Sequence, residues 1–180
     1  MKRSDAAKLL AGAEVVCSAE EVHIAVLRLA QEITARLHED FPMVLSIMGG
    51  AAVFTGQLLP HLDFPLEFAA IELTRYRKGT RGGEIKWWLP PKDDVGGRTV
   101  LVLDDILDEG LTLAAVRERL LAMGAKRVLF AVFAEKRTGR EKPVSADFVG
   151  VEVPDRYVFG FGMDIHGLWR NLPAVYASGA

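Results

Sequence analysis

The chain has 180 residues, half of them apolar, with 22 basic against 24 acidic side chains and a net charge of -2. That size and balance suit one domain with a substantial core, and they exclude the strongly basic field of a general polyanion binder. The lone cysteine, Cys17, excludes an internal disulfide, belongs to no thiol motif and is expected as a buried structural thiol in a reducing cytoplasm. Basic residues at the start hint at a signal peptide, but Asp5 and Lys8 leave no apolar stretch there, and no run is long enough to span a membrane. No repeat, low-complexity tract or linker divides the chain.

Ser18 followed by Glu21 forms a capping box, and Val22, Val26, Leu29, Ile33 and Leu37 then mark one face of a helix ending near His38. Neither His23 nor His38 has a partner at metal-sharing spacing. Val44 to Met48 is a buried strand, and Gly49 and Gly50 lead into a helical pattern through Val53, Phe54 and Leu58. Two glycines allow the backbone a close approach to a ligand, which makes this an anion loop, with an ordinary tight turn as the alternative. Phe68 to Leu73 is the next strand. The segment after it, TRYRKGTRGGE, mixes basic residues, glycines and one tyrosine. It suits a cationic flap that closes over a polyphosphate, with a solvated hairpin tip and a nucleic-acid patch as alternatives. Glu84 to Leu89 returns as a strand whose alternation buries one of Trp87 and Trp88 and leaves the other for a subunit contact.

The stretch VLVLDDILDEGLT, Val100 to Thr112, organises the chain. Val100 to Leu103 is apolar throughout, as in the interior of a parallel sheet, and Asp104 and Asp105 follow where the strand is expected to end. A helix is predicted from Thr112 to Met123 through Leu113, Val116 and Leu120, closed by Gly124. Open α/β sheets bind ligands at the carboxyl ends of their strands, and a glycine turn entering a helix presents free N–H groups to an anion. A phosphate therefore belongs at Asp108 to Thr112. The adjacent acids suit sugar hydroxyls or a divalent cation beside it. Neither a Walker loop nor a GxGxxG motif is present.

Val128 to Ala134 is another buried parallel strand, and it delivers Glu135, Lys136 and Arg137 to the same crevice. The tail from Ala146 to Pro173 is rich in glycine and aromatics and is expected as short extended pieces forming a small hood. On residue type alone, Lys136 is a surface charge, and Tyr157 and Trp169 are core aromatics.

Four apolar residues, two acids, two apolar residues, an acid, then glycine and threonine closely resemble the phosphoribosyl-pyrophosphate signature of the type I phosphoribosyltransferases. From about Val44 to Tyr176 the chain resembles hypoxanthine-guanine phosphoribosyltransferases. The resemblance implies an α/β fold of that type: a mainly parallel central sheet flanked by helices, with a hood and a flexible catalytic loop. N-terminal helices are expected over about residues 4–38, the core over about 43–135 and the hood over about 136–180.

By the same resemblance, Asp108 is the catalytic base, and Asp104, Asp105, Asp108, Glu109, Gly110, Leu111 and Thr112 bind the ribose phosphate. Met48, Gly49 and Arg170 bind pyrophosphate, and a cis peptide bond is expected between Ile47 and Met48. Lys136 recognises the 6-oxygen of the purine, Tyr157 stacks on the ring and the Val158 backbone reads its edge. Asp164, with Asp104 and Asp105, holds Mg2+, for which nearby His166 is unsuited because magnesium prefers oxygen. Arg75 and Tyr76 belong to the flexible loop. The chain departs from the family at Met48, where a lysine is common, at Arg75, in place of a serine, and at Glu109 and Leu111, where polar residues are usual. The Glu109 side chain is expected to turn away from the phosphate. The implied partners are phosphoribosyl pyrophosphate and a 6-oxopurine, in a cytoplasmic homodimer or homotetramer. The alternative is a regulator on this fold that binds RNA or DNA and senses the phosphosugar; the acidic net charge counts against it.

Overall fold

The protein is described by a computed structural model covering residues 3–75, 85–91 and 93–179. Helix α1 (Arg3–Ala11) leads through strand β1 (Glu14–Cys17) into helix α2 (Ala19–Leu37). The capping box forms as the sequence predicts: the Glu21 N–H donates to Ser18 Oγ at 3.3 Å, and the Ser18 N–H donates to Glu21 Oε2 at 2.7 Å. Seven side chains of α2 are buried, and all five of the expected stripe are among them. Strand β2 (Met43–Met48), helix α3 (Ala52–Leu58), strand β3 (Glu67–Arg75) and strand β4 (Ile85–Leu89) follow. Strand β5 (Thr99–Leu107), helix α4 (Leu111–Ala122) and strand β6 (Arg127–Arg137) form the centre, and β7 (Phe148–Pro154), β8 (Val158–Phe159) and β9 (Val175–Ala177) complete the chain.

Six strands form the main sheet in the order β4-β3-β2-β5-β6-β7, parallel except for β4, which runs antiparallel to β3 at the edge. Alternate residues of the inner strands supply two cores, because successive side chains of a strand point to opposite faces. Leu101 and Leu103 pack with α2 and α3, whereas Val100 and Val102 pack with Leu113, Val116 and Leu120 of α4. On edge strand β4, Trp87 packs against the second core while Trp88 is exposed beneath the Lys86 ammonium, 3.6 Å from its ring centre.

Three expectations are corrected. First, β5 does not end before its acids: pairing with β6 continues through Asp104↔Val132 and Ile106↔Ala134 to Leu107↔Glu135. Ladder hydrogen bonds are made by the backbone, so a polar side chain does not stop a strand whose neighbour is eleven residues long. Second, the N-terminal region is not helical throughout, since β1 pairs with β9, and β9 with β8, to make the small hood sheet. Third, the tail opens with β7, a seven-residue strand of the main sheet and not a hood piece. The segment Tyr76–Glu84, most of the expected flap, lies outside the described residues.

Cys17 ends β1 and is 5% exposed. Burial, and then the nearby Glu21 charge, push its thiol up to about 11. Alkylation needs the thiolate, so labelling of the native protein by iodoacetamide at about pH 8 is expected to be at least tenfold slower than in denaturant. Mass spectrometry of the labelled fraction against time checks this.

Candidate active site

All the inner strands run parallel, so their carboxyl ends meet at one edge of the sheet, and two adjoining cavities open there. The larger, of about 480 Å³, lies between the turns after β2 and β5 and is lined by Met48, Gly49, Gly50, the whole segment from Asp104 to Leu113, Asp164 and Arg170. The smaller, of about 190 Å³, is lined by Ile106, Lys136, Tyr157, Val158 and Met163, and shares Asp105, Asp108 and Asp164 with the first. The two cavities thus lie on either side of Asp108.

The turn after β5 enters α4 through Gly110, whose φ of +79° is the left-handed conformation that glycine adopts without strain. No side chain caps this helix, so the first backbone N–H groups remain directed at the larger cavity. The turn after β2 is fixed by crowding. A Cβ on Gly50 would stand 2.0 Å from Asp105 Oδ2, and one on Gly162 would stand 2.1 Å from the Gly50 carbonyl oxygen. The hood, the β2 turn and Asp105 thus interlock through two glycines.

Asp104 is 8% exposed, and its Oδ1 accepts from the Asp105 N–H at 3.0 Å. Burial, reinforced by the Asp105 charge, raises the Asp104 carboxyl well above its ordinary value. Burial also raises Asp105, but Asp104 and the Arg170 guanidinium oppose that rise. Arg170 donates to the Gly162 carbonyl at 2.6 Å and pairs with Asp164 at 2.6 Å, with Asp105 at 4.0 Å. In the smaller cavity Lys136 Nζ donates to Asp108 Oδ2 at 2.8 Å, with the lysine side chain 12% exposed. Val158 is buried at the wall and Tyr157 is half exposed at the mouth.

Residues 18–166 match the phosphoribosyl transferase domain model. The hypoxanthine-guanine phosphoribosyltransferase of Bacillus subtilis is 35% identical over 90% of this chain and 91% of its own length, and that of Aquifex aeolicus is 35% identical over 87% and 89%. The chain belongs to the phosphoribosyltransferase family. A Staphylococcus aureus hypoxanthine phosphoribosyltransferase structure superposes with a TM-score of 0.86 at 25% identity, covering 92% of this chain and 91% of that one. The fold is thus the type I phosphoribosyltransferase fold, and the nucleic-acid regulator finds no support among these transferases.

Within this phosphoribosyltransferase, every sequence-predicted site residue from Met48 to Arg170, apart from Arg75 and Tyr76, lines one of the two cavities. Arg75 is the last residue of β3, and Tyr76 lies outside the described residues. The cis peptide bond expected between Ile47 and Met48 lies instead between Met48 and Gly49. Met48 still pairs with Glu72 in the β2–β3 register, so the departure falls on the first residue beyond the strand. Glu109 is exposed and borders the larger cavity. Gly162 and Met163 were missed as site residues, and only the density of glycines in the tail could have suggested the first.

The buried Asp104 gives a pH-dependent stability. An aspartate whose folded-state pKa is raised destabilises the fold increasingly as pH climbs from the unfolded value, about 4, toward the folded one. Asp104→Asn is therefore expected to raise Tm by about 2–4 °C at neutral pH, with the gain vanishing toward about pH 4. Thermal melts of both proteins across that range check it, and a variant that melts lower at neutral pH contradicts it.

Proposed function

We propose that this phosphoribosyltransferase serves purine salvage, transferring the 5-phosphoribosyl group of phosphoribosyl pyrophosphate to hypoxanthine or guanine and releasing IMP or GMP with pyrophosphate. The observation that carries this reading is the Asp108–Lys136 pair, whose Asp108 lines both cavities and whose Lys136 lines the smaller one. The relatives named hypoxanthine-guanine phosphoribosyltransferase support the same substrates.

The 5′-phosphate is proposed to sit on the Asp108 to Thr112 turn, where Gly110 and Leu111 present backbone N–H groups and Thr112 a hydroxyl. Glu109 contributes its N–H, its carboxylate being repelled by the phosphate. The purine enters between Tyr157 and the cavity wall, ring on ring, with the Val158 backbone reading its edge. Its N7 and 6-oxygen lie on one edge of the base, so one bicyclic ring engages both members of the Asp108–Lys136 pair. As N9 attacks the ribose carbon and the carbon–oxygen bond to pyrophosphate breaks, Asp108 accepts the N7 proton and Lys136 donates to the 6-oxygen. Adenine is rejected because a lysine has donors only and the 6-amino group is another donor. Arg170 turns from Asp164 to the departing pyrophosphate, alongside Met48 and Gly49, and its planar fork suits those oxygens.

Among the described residues no three potential ligands converge on one metal position. Magnesium binds through one or two carboxylates and completes its shell with water and phosphate oxygens. Asp164 would hold one ion, and Asp104 and Asp105 would meet the ribose hydroxyls and a second. When bound, magnesium would neutralise the charge growing on pyrophosphate. We place the reaction in the cytoplasm, in keeping with the reducing setting expected for Cys17. We further propose a homodimer or homotetramer, for which the exposed Trp88 and Leu89 on edge strand β4 are candidate contacts.

Pyrophosphate release is expected with phosphoribosyl pyrophosphate, magnesium and a 6-oxopurine, and not with adenine. Asp108→Asn is expected to lower kcat by about 10²–10⁴. Assays with hypoxanthine, guanine, xanthine and adenine in parallel decide it: silence with all four sinks the reading, and turnover of adenine removes Lys136 from specificity.

A further inference from the structure

The loop between β6 and β7 contains no residue assigned above, yet Lys142 reaches from it into the protein between the ends of β5 and β6. Its side chain is 11% exposed, and Nζ donates to the Lys136 carbonyl at 2.8 Å, the Leu107 carbonyl at 3.2 Å and Glu135 Oε1 at 3.0 Å. An ammonium has three N–H donors, and all three are used. The β5–β6 ladder makes its last registered pair at Leu107↔Glu135. Beyond that pair the two strands no longer hold one another directly, and Lys142 bridges them at that point. One carbonyl belongs to the residue before Asp108, and the other belongs to Lys136 itself.

We infer that Lys142 is a positioning residue, which fixes the spacing of the Asp108–Lys136 pair by fastening the backbone beneath both. Lys142 does not line the smaller cavity, where the purine is proposed to bind, so it acts through the backbone of the pair. A surface lysine would keep its ammonium in water, whereas this one exchanges water for two main-chain acceptors and one carboxylate. The next two residues continue the support: a Cβ on Gly110 would meet Pro143 and Val144 atoms at 3.3 Å and 3.4 Å, so the loop lies against the phosphate turn as well.

The inference rests on the proposed function for its kinetic consequence but not for its structural one, and two measurements on the full chain separate them. In a crystal structure of Lys142→Met the distance from Lys136 Nζ to Asp108 Oδ2, 2.8 Å in the native protein, is expected to open beyond about 3.5 Å. In steady-state assays KM for hypoxanthine is expected to rise about tenfold or more, with KM for phosphoribosyl pyrophosphate within about twofold, because Pro143 and Val144 still support the phosphate turn. Lys142→Arg, which keeps charge and donors, is expected to restore much of the loss. Lys142→Gln carries the same comparison should the methionine variant not fold. An unchanged pair distance overturns the inference, as does a parallel shift of both KM values with a lowered Tm, which marks a merely structural lysine. A native protein that turns over no purine defeats the proposed function alone, and the pair distance in the variant still decides the role of Lys142.

Discussion

The parallel pairing of β5 with β6 is the constraint on which the site depends. Eight residues of β5 pair in one register with β6, from Thr99↔Arg127 to Leu107↔Glu135. That register decides which side chains come level with one another. Asp104 is set opposite Val132 inside the sheet, while Asp108 and Lys136 emerge together just past the last pairs. A slip of one residue would exchange the faces of β5, sending Leu101 and Leu103 to the side of α4 and carrying the acids with them. The two cores oppose such a slip, because each takes alternate residues of the same strand. Burial of ordinary aliphatic side chains, far from any chemistry, thereby fixes where the carboxylates point.

The placement has an electrostatic consequence. Two adjacent carboxylates with little water around them disfavour their own ionisation, and burial is the leading cause for both. Arg170 relieves Asp105 and also holds Asp164, so one guanidinium balances acids from the core and the hood.

Much of this was legible in the sequence because the signals were local. The Ser18–Glu21 box, the stripe of α2, the apolar runs of β2, β5 and β6 and the glycine at the start of α4 each follow from a few neighbouring residues. What escaped was non-local. Strand β1 exists because the tail returns to pair with it, and EVVC alone gives no sign of that partner. Polarity suggests that β5 ends before its acids, but backbone pairing carries the strand through them. The roles of Gly162 and Lys142 depend on a chain segment far away in sequence, a turn 112 residues earlier for the one and the end of β5 for the other. The purine and pyrophosphate roles proposed for Tyr157 and Arg170 come only through the family resemblance, since neither residue carries a local mark of such a task.

The departures at Met48 and Glu109 fit this division of labour. Met48 ends β2 on the cavity wall with its side chain partly exposed, and its sulfur lies 3.8 Å from the Ser46 hydroxyl, which also bonds Thr55 at 2.8 Å. The turn beyond it, Gly49 and Gly50, has no side chains and would offer the proposed pyrophosphate only backbone groups. Backbone N–H groups serve an anion whatever the side chain at their position, so an acid at Glu109 is compatible with the proposed phosphate turn. Both departures fall where main-chain atoms carry the proposed contact. By contrast, Asp108, Lys136, Asp164 and Arg170, where side chains carry the proposed contacts, match the pattern on which the resemblance rests.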